Sequence, residues 1–232
     1  MNWTSHLLDQ SAQVALIKNR DQKQSVADKI ADRVRNGDVI GVGSGSTSLL
    51  AVYSIAKKVA DKNLSIKVIP TSLEMKFACQ NLNLLITDLT VDKVDWCLDG
   101  ADEVDSEYNL NKGRGGALFK EKLVMMSCNE RYILVDPSKL VPVIGTNFPI
   151  PVEIYPMALR YVESELIKLG STEMSMRLAG GKDGPVLTES GCLILDVYFE
   201  KIYTGLEKEI KSITGVLESG LFQGYNPILI TS

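Results

Sequence analysis

Apolar residues recur along this chain at two periods, and the way the periods alternate predicts the architecture. Val26, Ile30 and Val34 fall every fourth position between about residues 22 and 35, the spacing of one buried helical face, and Asn36-Gly37 supplies the stop. Residues 38–43 then read as a short buried strand, a loop of glycines and hydroxyls follows, and a second helical pattern runs over 46–62. The order repeats, with a strand over 66–70, a helix over 73–81, a short strand over 84–86 and a strand over 95–98 that runs into acidic residues. A helix over 117–127 and a strand over 132–135 continue it. Such alternation predicts an α/β fold with a doubly wound, mainly parallel sheet, because right-handed crossovers place helices on both faces. Ligands of such sheets bind beyond the carboxyl ends of the strands.

The pattern changes at 141–156, where Pro142, Pro149, Pro151 and Pro156 interrupt the chain. A domain boundary is expected here. Beyond it come a helix over 157–169, strands over 173–177, 192–198 and 216–222, and a helix over 205–213, which together predict a small mixed sheet carrying two helices. The final 227–231 is apolar enough to return to the first sheet. The expected division is therefore a catalytic domain of 1–147 plus 222–232 and a smaller α+β domain of 148–221.

Composition narrows the chemistry. Twenty-five Lys and Arg against 29 Asp and Glu leave a net charge of −4, so the surface offers no general attraction for nucleic acid or an anionic membrane. No apolar run approaches the ~18 residues of a membrane span. Cys79, Cys97, Cys128 and Cys192 are scattered without a C-x-x-C pair, which predicts reduced, buried thiols and a cytoplasmic location. His6 is the single histidine, so Ser-His-Asp catalysis and multi-histidine zinc sites lack a necessary residue, and proton transfer falls to carboxylates and lysines.

Three stretches carry candidate chemistry. In Gly41-Val-Gly-Ser-Gly-Ser-Thr47, exposed amides and the hydroxyls of Ser44, Ser46 and Thr47 can hold an anion at a helix start. The loop lacks the lysine of a P-loop and the third glycine of a dinucleotide fingerprint, and a plain turn capped by Ser46 is the bland alternative. Leu98-Asp-Gly-Ala-Asp-Glu-Val-Asp105 delivers Asp99 and Asp102 from a strand end, while Glu103 and Asp105 are expected to face solvent. Hydroxyl binding, proton transfer, a magnesium site and an acidic turn all fit that spacing. In Asn111-Lys-Gly-Arg-Gly-Gly-Ala-Leu-Phe-Lys-Glu-Lys122, Lys112 can place an ammonium beside a developing oxyanion. Glu121 has the chemistry of a general base, but taken alone it reads as a surface glutamate between Lys120 and Lys122.

Taken in order, GVGSGST, LDGADEVD, NKGRGGAL-x-x-EK, VDPSK, FPIPVEIYPMA and GLFQG resemble the signatures of ribose-5-phosphate isomerase type A from about residue 22 onward. The resemblance implies a Rossmann-like domain with an α+β lid, the interconversion of D-ribose 5-phosphate and D-ribulose 5-phosphate through a cis-enediolate, and a place in the non-oxidative pentose phosphate pathway. It implies a substrate loop at Ser44, Gly45, Ser46 and Thr47, an aspartate turn at Asp99, Gly100, Ala101 and Asp102, a lysine loop at Lys112, Gly113, Arg114 and Gly115, and a catalytic glutamate at Glu121. Lys139 matches a substrate-binding lysine, and Arg177 is a further candidate for the phosphate. Arg114 stands where the family usually has glycine and is expected to strain the loop backbone. Neither metal nor cofactor is expected, the partner is a sugar phosphate, and a homodimer or homotetramer is implied.

Overall fold

The computed structural model describes residues 14–232, so His6 lies outside the described residues. Packing divides the chain into two units. The first takes the chain through Gly100, Leu123–Pro137 and Pro227–Ser232, and the second takes Ala101–Lys122 and Ser138–Asn226.

In the first unit, strands β1 (Val39–Val42), β2 (Lys67–Pro70), β3 (Leu85–Ile86), β4 (Trp96–Gly100), β7 (Glu130–Val135) and β13 (Ile228–Thr231) form a six-stranded sheet. Its order is β13-β7-β4-β1-β2-β3 and every pairing is parallel. The helices are α1 (Arg20–Ala31), α2 (Ser46–Lys62) and α3 (Leu73–Asn81), the last capped by Ser72, whose hydroxyl accepts from the Met75 amide at 3.2 Å. Val26, Ile30, Ile40, Val42, Leu50, Ile55 and Leu98 are buried together, which is the contiguous core that the four-residue repeat and the short apolar strands require. Chain order runs outward from β1 through β2 to β3 and then restarts at β4 on the other side of β1. The carboxyl ends of β1 and β4 therefore flank the reversal point at which such sheets bind ligands.

The second unit holds two antiparallel sheets. A hairpin of β5 (Glu103–Val104) and β6 (Leu110–Asn111) pairs with β12 (Leu221–Phe222). The other sheet orders β11 (Val216–Ser219), β8 (Ile150–Ile154), β10 (Leu193–Phe199) and β9 (Ser171–Met176) as β11-β8-β10-β9. It is antiparallel throughout, not mixed as the sequence suggests. Helices α5 (Leu159–Lys168) and α6 (Leu206–Ser212) supply Val162, Leu166, Leu206 and Ile210 to a core with Val152, Ile154, Leu195 and Val197. Between the units' segments in chain order lies the helix α4 (Leu118–Met126), whose residues 118–122 belong to the second unit.

Two readings need correction. The proline-rich stretch contains β8, an inner strand buried at all five positions. Pro151 is tolerated as its second residue, near the strand's start, where a missing amide is least disruptive. The single strand expected over 216–222 is two strands in different sheets, divided at Gly220. There the chain passes so close to Lys112 that a Cβ on Gly220 would sit 2.0 Å from the Lys112 carbonyl oxygen. Glu153 in β8 is buried, and that burial pushes its carboxyl pKa up against weaker lowering by Thr188, Ser190 and the Phe119 amide.

Candidate active site

In the first unit, the loop after β1 meets the end of β4. The Gly43 amide donates to the Leu98 carbonyl at 2.8 Å, and the Gly43 Cα faces the buried Asp99 carboxylate. A Cβ built on Gly43 would lie 1.9 Å from Asp99 Cγ, so only glycine admits that carboxylate to its place. Asp99 Oδ1 accepts from the Gly100 amide at 2.7 Å. Ser44 is tied into the neighbouring loop, its hydroxyl 2.9 Å from Thr71 Oγ1 and donating to Ser72 Oγ at 2.7 Å. Ser46 accepts from Lys23 Nζ at 2.9 Å. Ser46 does not cap α2; the cap position is Gly45, at φ 95°, and no side chain closes the helix start. Uncapped amides at the helix start, with Thr47 beside them, favour an anion there.

Gly43→Ala is expected to displace Asp99, with a stability loss of about 1–3 kcal/mol by overpacking and a fall in activity of about tenfold. Steady-state kinetics beside a urea titration would measure both, and wild-type values in each would show that Asp99 need not stand where it does.

In the second unit, the β5–β6 hairpin presents the other aspartate and the lysine. The Asp102 amide donates to the Asn111 carbonyl at 2.8 Å, and Asp102 Oδ2 accepts from the Arg114 amide at 3.4 Å. Lys112 follows β6, its amide held by the Gly220 carbonyl at 2.8 Å. Its side chain is 3% exposed, and Nζ lies 3.3 Å from Oε2 of Glu121, which is 5% exposed. Glu121 is thus no surface residue. The contact lacks hydrogen-bond geometry, so Oε2 is a buried carboxylate oxygen beside a cation with no donor on its lone pairs. An oxygen of that kind can accept a proton from carbon without first breaking a hydrogen bond.

Gly113, at φ 100°, makes the turn of the lysine loop. Arg114 does not take a left-handed φ, so the strain expected there is absent, and both Arg114 and Gly115 are exposed. Arg177 donates to the carbonyls of Gly113 and Arg114 and pairs with Asp196. A cleft of about 410 Å³ is lined by Asp102, Arg114, Phe148, Pro149, Pro151, Arg177 and Asp196. Lys139 closes a 3₁₀ turn, half-buried, with Nζ 5.5 Å from the Phe148 ring centre.

The acidic turn is corrected in one respect. Glu103 does not face solvent: it is fully buried and accepts from the amides of Gly145, Asn147 and Phe148 and from the Asn111 side chain. Asp105 is half-buried and accepts from the Glu107 and Asn109 amides. Both carboxylates serve the loops around them. Among the described residues no three His, Cys, Asp or Glu side chains are grouped to hold a metal ion.

Lys122 was not singled out by the sequence. Its ammonium is buried, 2.7 Å from Glu207 Oε1, 2.9 Å from Glu218 Oε1 and 2.9 Å from the Leu221 carbonyl, and lies 4.4 Å from the Phe222 ring centre. Burial raises the Glu218 pKa, but the charge and hydrogen bond of Lys122, with the Ser219 amide and Lys211, outweigh it and leave the carboxyl below its ordinary value. The only available signal was the alternation of Lys and Glu around 120–122, which reads as a solvated face.

The family model for ribose 5-phosphate isomerase A (phosphoriboisomerase A) matches residues 67–232. A ribose-5-phosphate isomerase A of Synechococcus sp. is 42% identical over 212 residues, covering 90% of this chain and 91% of its own. The solved structure of ribose 5-phosphate isomerase A from Methanocaldococcus jannaschii superposes with a TM-score of 0.85 at 40% identity, over 88% of this chain and 92% of that one. A D-ribose-5-phosphate isomerase solved in complex with phospho-erythronic acid superposes at a TM-score of 0.88 and 34% identity, over 92% and 95% of the two chains.

Proposed function

Because this chain belongs to the ribose 5-phosphate isomerase A family and interconverts D-ribose 5-phosphate and D-ribulose 5-phosphate, we propose that Glu121 carries hydrogen between C2 and C1 of the open-chain sugar. The observation that supports this most directly is the buried, donor-free Oε2 of Glu121 held 3.3 Å from Lys112 Nζ.

The chemistry follows from what a sugar carbon acid needs. In the ring-opened aldose the C2–H bond is too weakly acidic for an unassisted carboxylate. Charge that leaves C2 must settle on O1 as the C1=C2 double bond forms, and a donor preorganised at O1 lowers that barrier. Lys112 with amides of Gly113, Arg114 and Gly115 is assigned that role. Glu121 takes the C2 proton, O1 becomes the oxyanion of a cis-enediolate, the O2 proton passes to O1, and Glu121 returns its proton to C1 to leave the ketone at C2. Atoms and electrons balance without an external redox partner. Asp99 and Asp102 are assigned to ring opening and to orienting hydroxyls, with the Gly100 and Ala101 backbone between them. Ser44, Gly45, Ser46 and Thr47 are assigned to substrate binding, and Lys139 to the phosphate as a point charge. A phosphorylated sugar acid bound to a relative supports a sugar phosphate as the ligand class. The four buried, unbridged thiols favour a reducing, cytoplasmic setting.

Incubation with D-ribose 5-phosphate in D₂O, followed by NMR to equilibrium, tests the proton-transfer route. Over repeated turnovers deuterium is expected at C1 of the ketose and C2 of the aldose. Isomerisation with no solvent hydrogen at either carbon, together with undiminished turnover by Glu121→Gln, would dismiss Glu121 as the carrier.

A further inference from the structure

Arg177 follows β9, and its guanidinium spans two targets within the second unit. Nε donates to Asp196 Oδ2 at 2.9 Å and Nη2 to Asp196 Oδ1, while Nη1 donates to the Gly113 and Arg114 carbonyls at 2.9 Å each. Arg177 and Asp196 are 18% and 17% exposed, so this fork is largely shielded from water. Guanidinium carries five N–H groups, and these bonds commit four of them. Little is left to clamp a phosphate.

What the fork does instead follows from the planar, trans peptide, in which the C=O and N–H of one unit point in opposite directions. Holding the Gly113 carbonyl turns the Arg114 amide away from the guanidinium, and that amide reaches Asp102 Oδ2 at 3.4 Å. Holding the Arg114 carbonyl turns the Gly115 amide away likewise, and the described residues offer that amide no acceptor. A backbone donor fixed from behind and unpaired in front is preorganised for a developing negative charge.

We infer that Arg177, locked by Asp196, is a positioning residue that aims the Arg114 and Gly115 amides of the lysine loop, and is not a ligand of the substrate phosphate. The inference rests on the lysine loop's role at the oxyanion. It adds that a side chain from a different part of the unit's chain joins the local Gly116 amide, 3.1 Å from the Gly113 carbonyl, in holding that peptide plane, and holds the Arg114 carbonyl by itself.

Arg177→Lys keeps the charge but cannot reach Asp196 and both carbonyls at once, and Asp196→Asn weakens the lock from the other side. Each variant is expected to lower kcat by about 10- to 100-fold, part of the effect of losing an oxyanion donor, with KM for ribose 5-phosphate nearly unchanged. The ¹H–¹⁵N resonances of Arg114 and Gly115 should shift in the free protein. A merely structural role would lower the unfolding midpoint and leave those resonances and the kcat of the folded protein alone. A tenfold rise in KM at constant kcat would instead make Arg177 a phosphate ligand, and either result overturns the proposal. If Arg177→Lys does not fold, Asp196→Asn carries the same readouts. The amide resonances need no turnover, so a fully active Glu121→Gln would sink the base assignment without bearing on them.

Discussion

Replacing Glu121 by Gln is expected to lower kcat by about 10²–10⁴-fold, the usual cost of losing a general base, with KM for ribose 5-phosphate almost unchanged. Glutamine has the shape of glutamate and fills the same buried position, so packing around Lys112 is largely kept. What disappears is the capacity to hold a proton between its removal from C2 and its return to C1. Loss confined to kcat is the signature of an interaction made only as the reaction proceeds. Stopped assays with purified variant over a range of substrate concentrations would measure both constants. Near wild-type turnover would assign the proton transfer to another group.

Lys122→Met is expected to have the largest effect on stability. The substitution keeps the length of the side chain but removes the cation between Glu207 and Glu218, which are 11% and 8% exposed. Removing one partner of a buried charge cluster costs about 3–5 kcal/mol, because the remaining charges stay desolvated without compensation. Replacing the whole cluster by apolar groups would be far milder. The pH dependence gives a second check. The folded-state pKa of Glu218 is lowered, so its contribution to stability is fully present above the unfolded value of about 4.3 and is lost as pH falls through the folded value. The gap between wild type and Lys122→Met should therefore be widest near neutrality and narrow in acid. Urea titrations across that range read it directly. A constant gap at every pH would mean that packing, not charge, holds Lys122.

The first unit was readable because its elements obey one local rule each. Helix Ser46–Lys62 and helix Leu73–Asn81 fall where the helical patterns over 46–62 and 73–81 place them. Its strands are short apolar runs bounded by turn residues. The second unit hides more because its decisive contacts are made at long range. Prolines on either side of Val152 disguised a central strand. Nothing local marks Gly220 as a crossing between sheets; it becomes necessary only when Lys112 is packed against it. Within the candidate site, motif order brought out Lys112 and Glu121, but their burial depended on the β5–β6 hairpin and β12, elements of two residues each. The burial of Lys122 and Glu103 was hidden for the same reason: a charged residue inside a protein is recognisable only once its partners are in place. The strain expected at Arg114 failed because Gly113 already makes the turn.

The pairing of β13 with β7 bears on how the molecule is made. Translation delivers β7 long before β13, and the stretch 138–226 of the second unit emerges between them. During that interval one margin of β7 stays open to solvent, a ready template for a foreign strand. Chaperone dependence, or capture by a short peptide copying Ile228–Thr231, should be greatest for nascent chains stalled in that window.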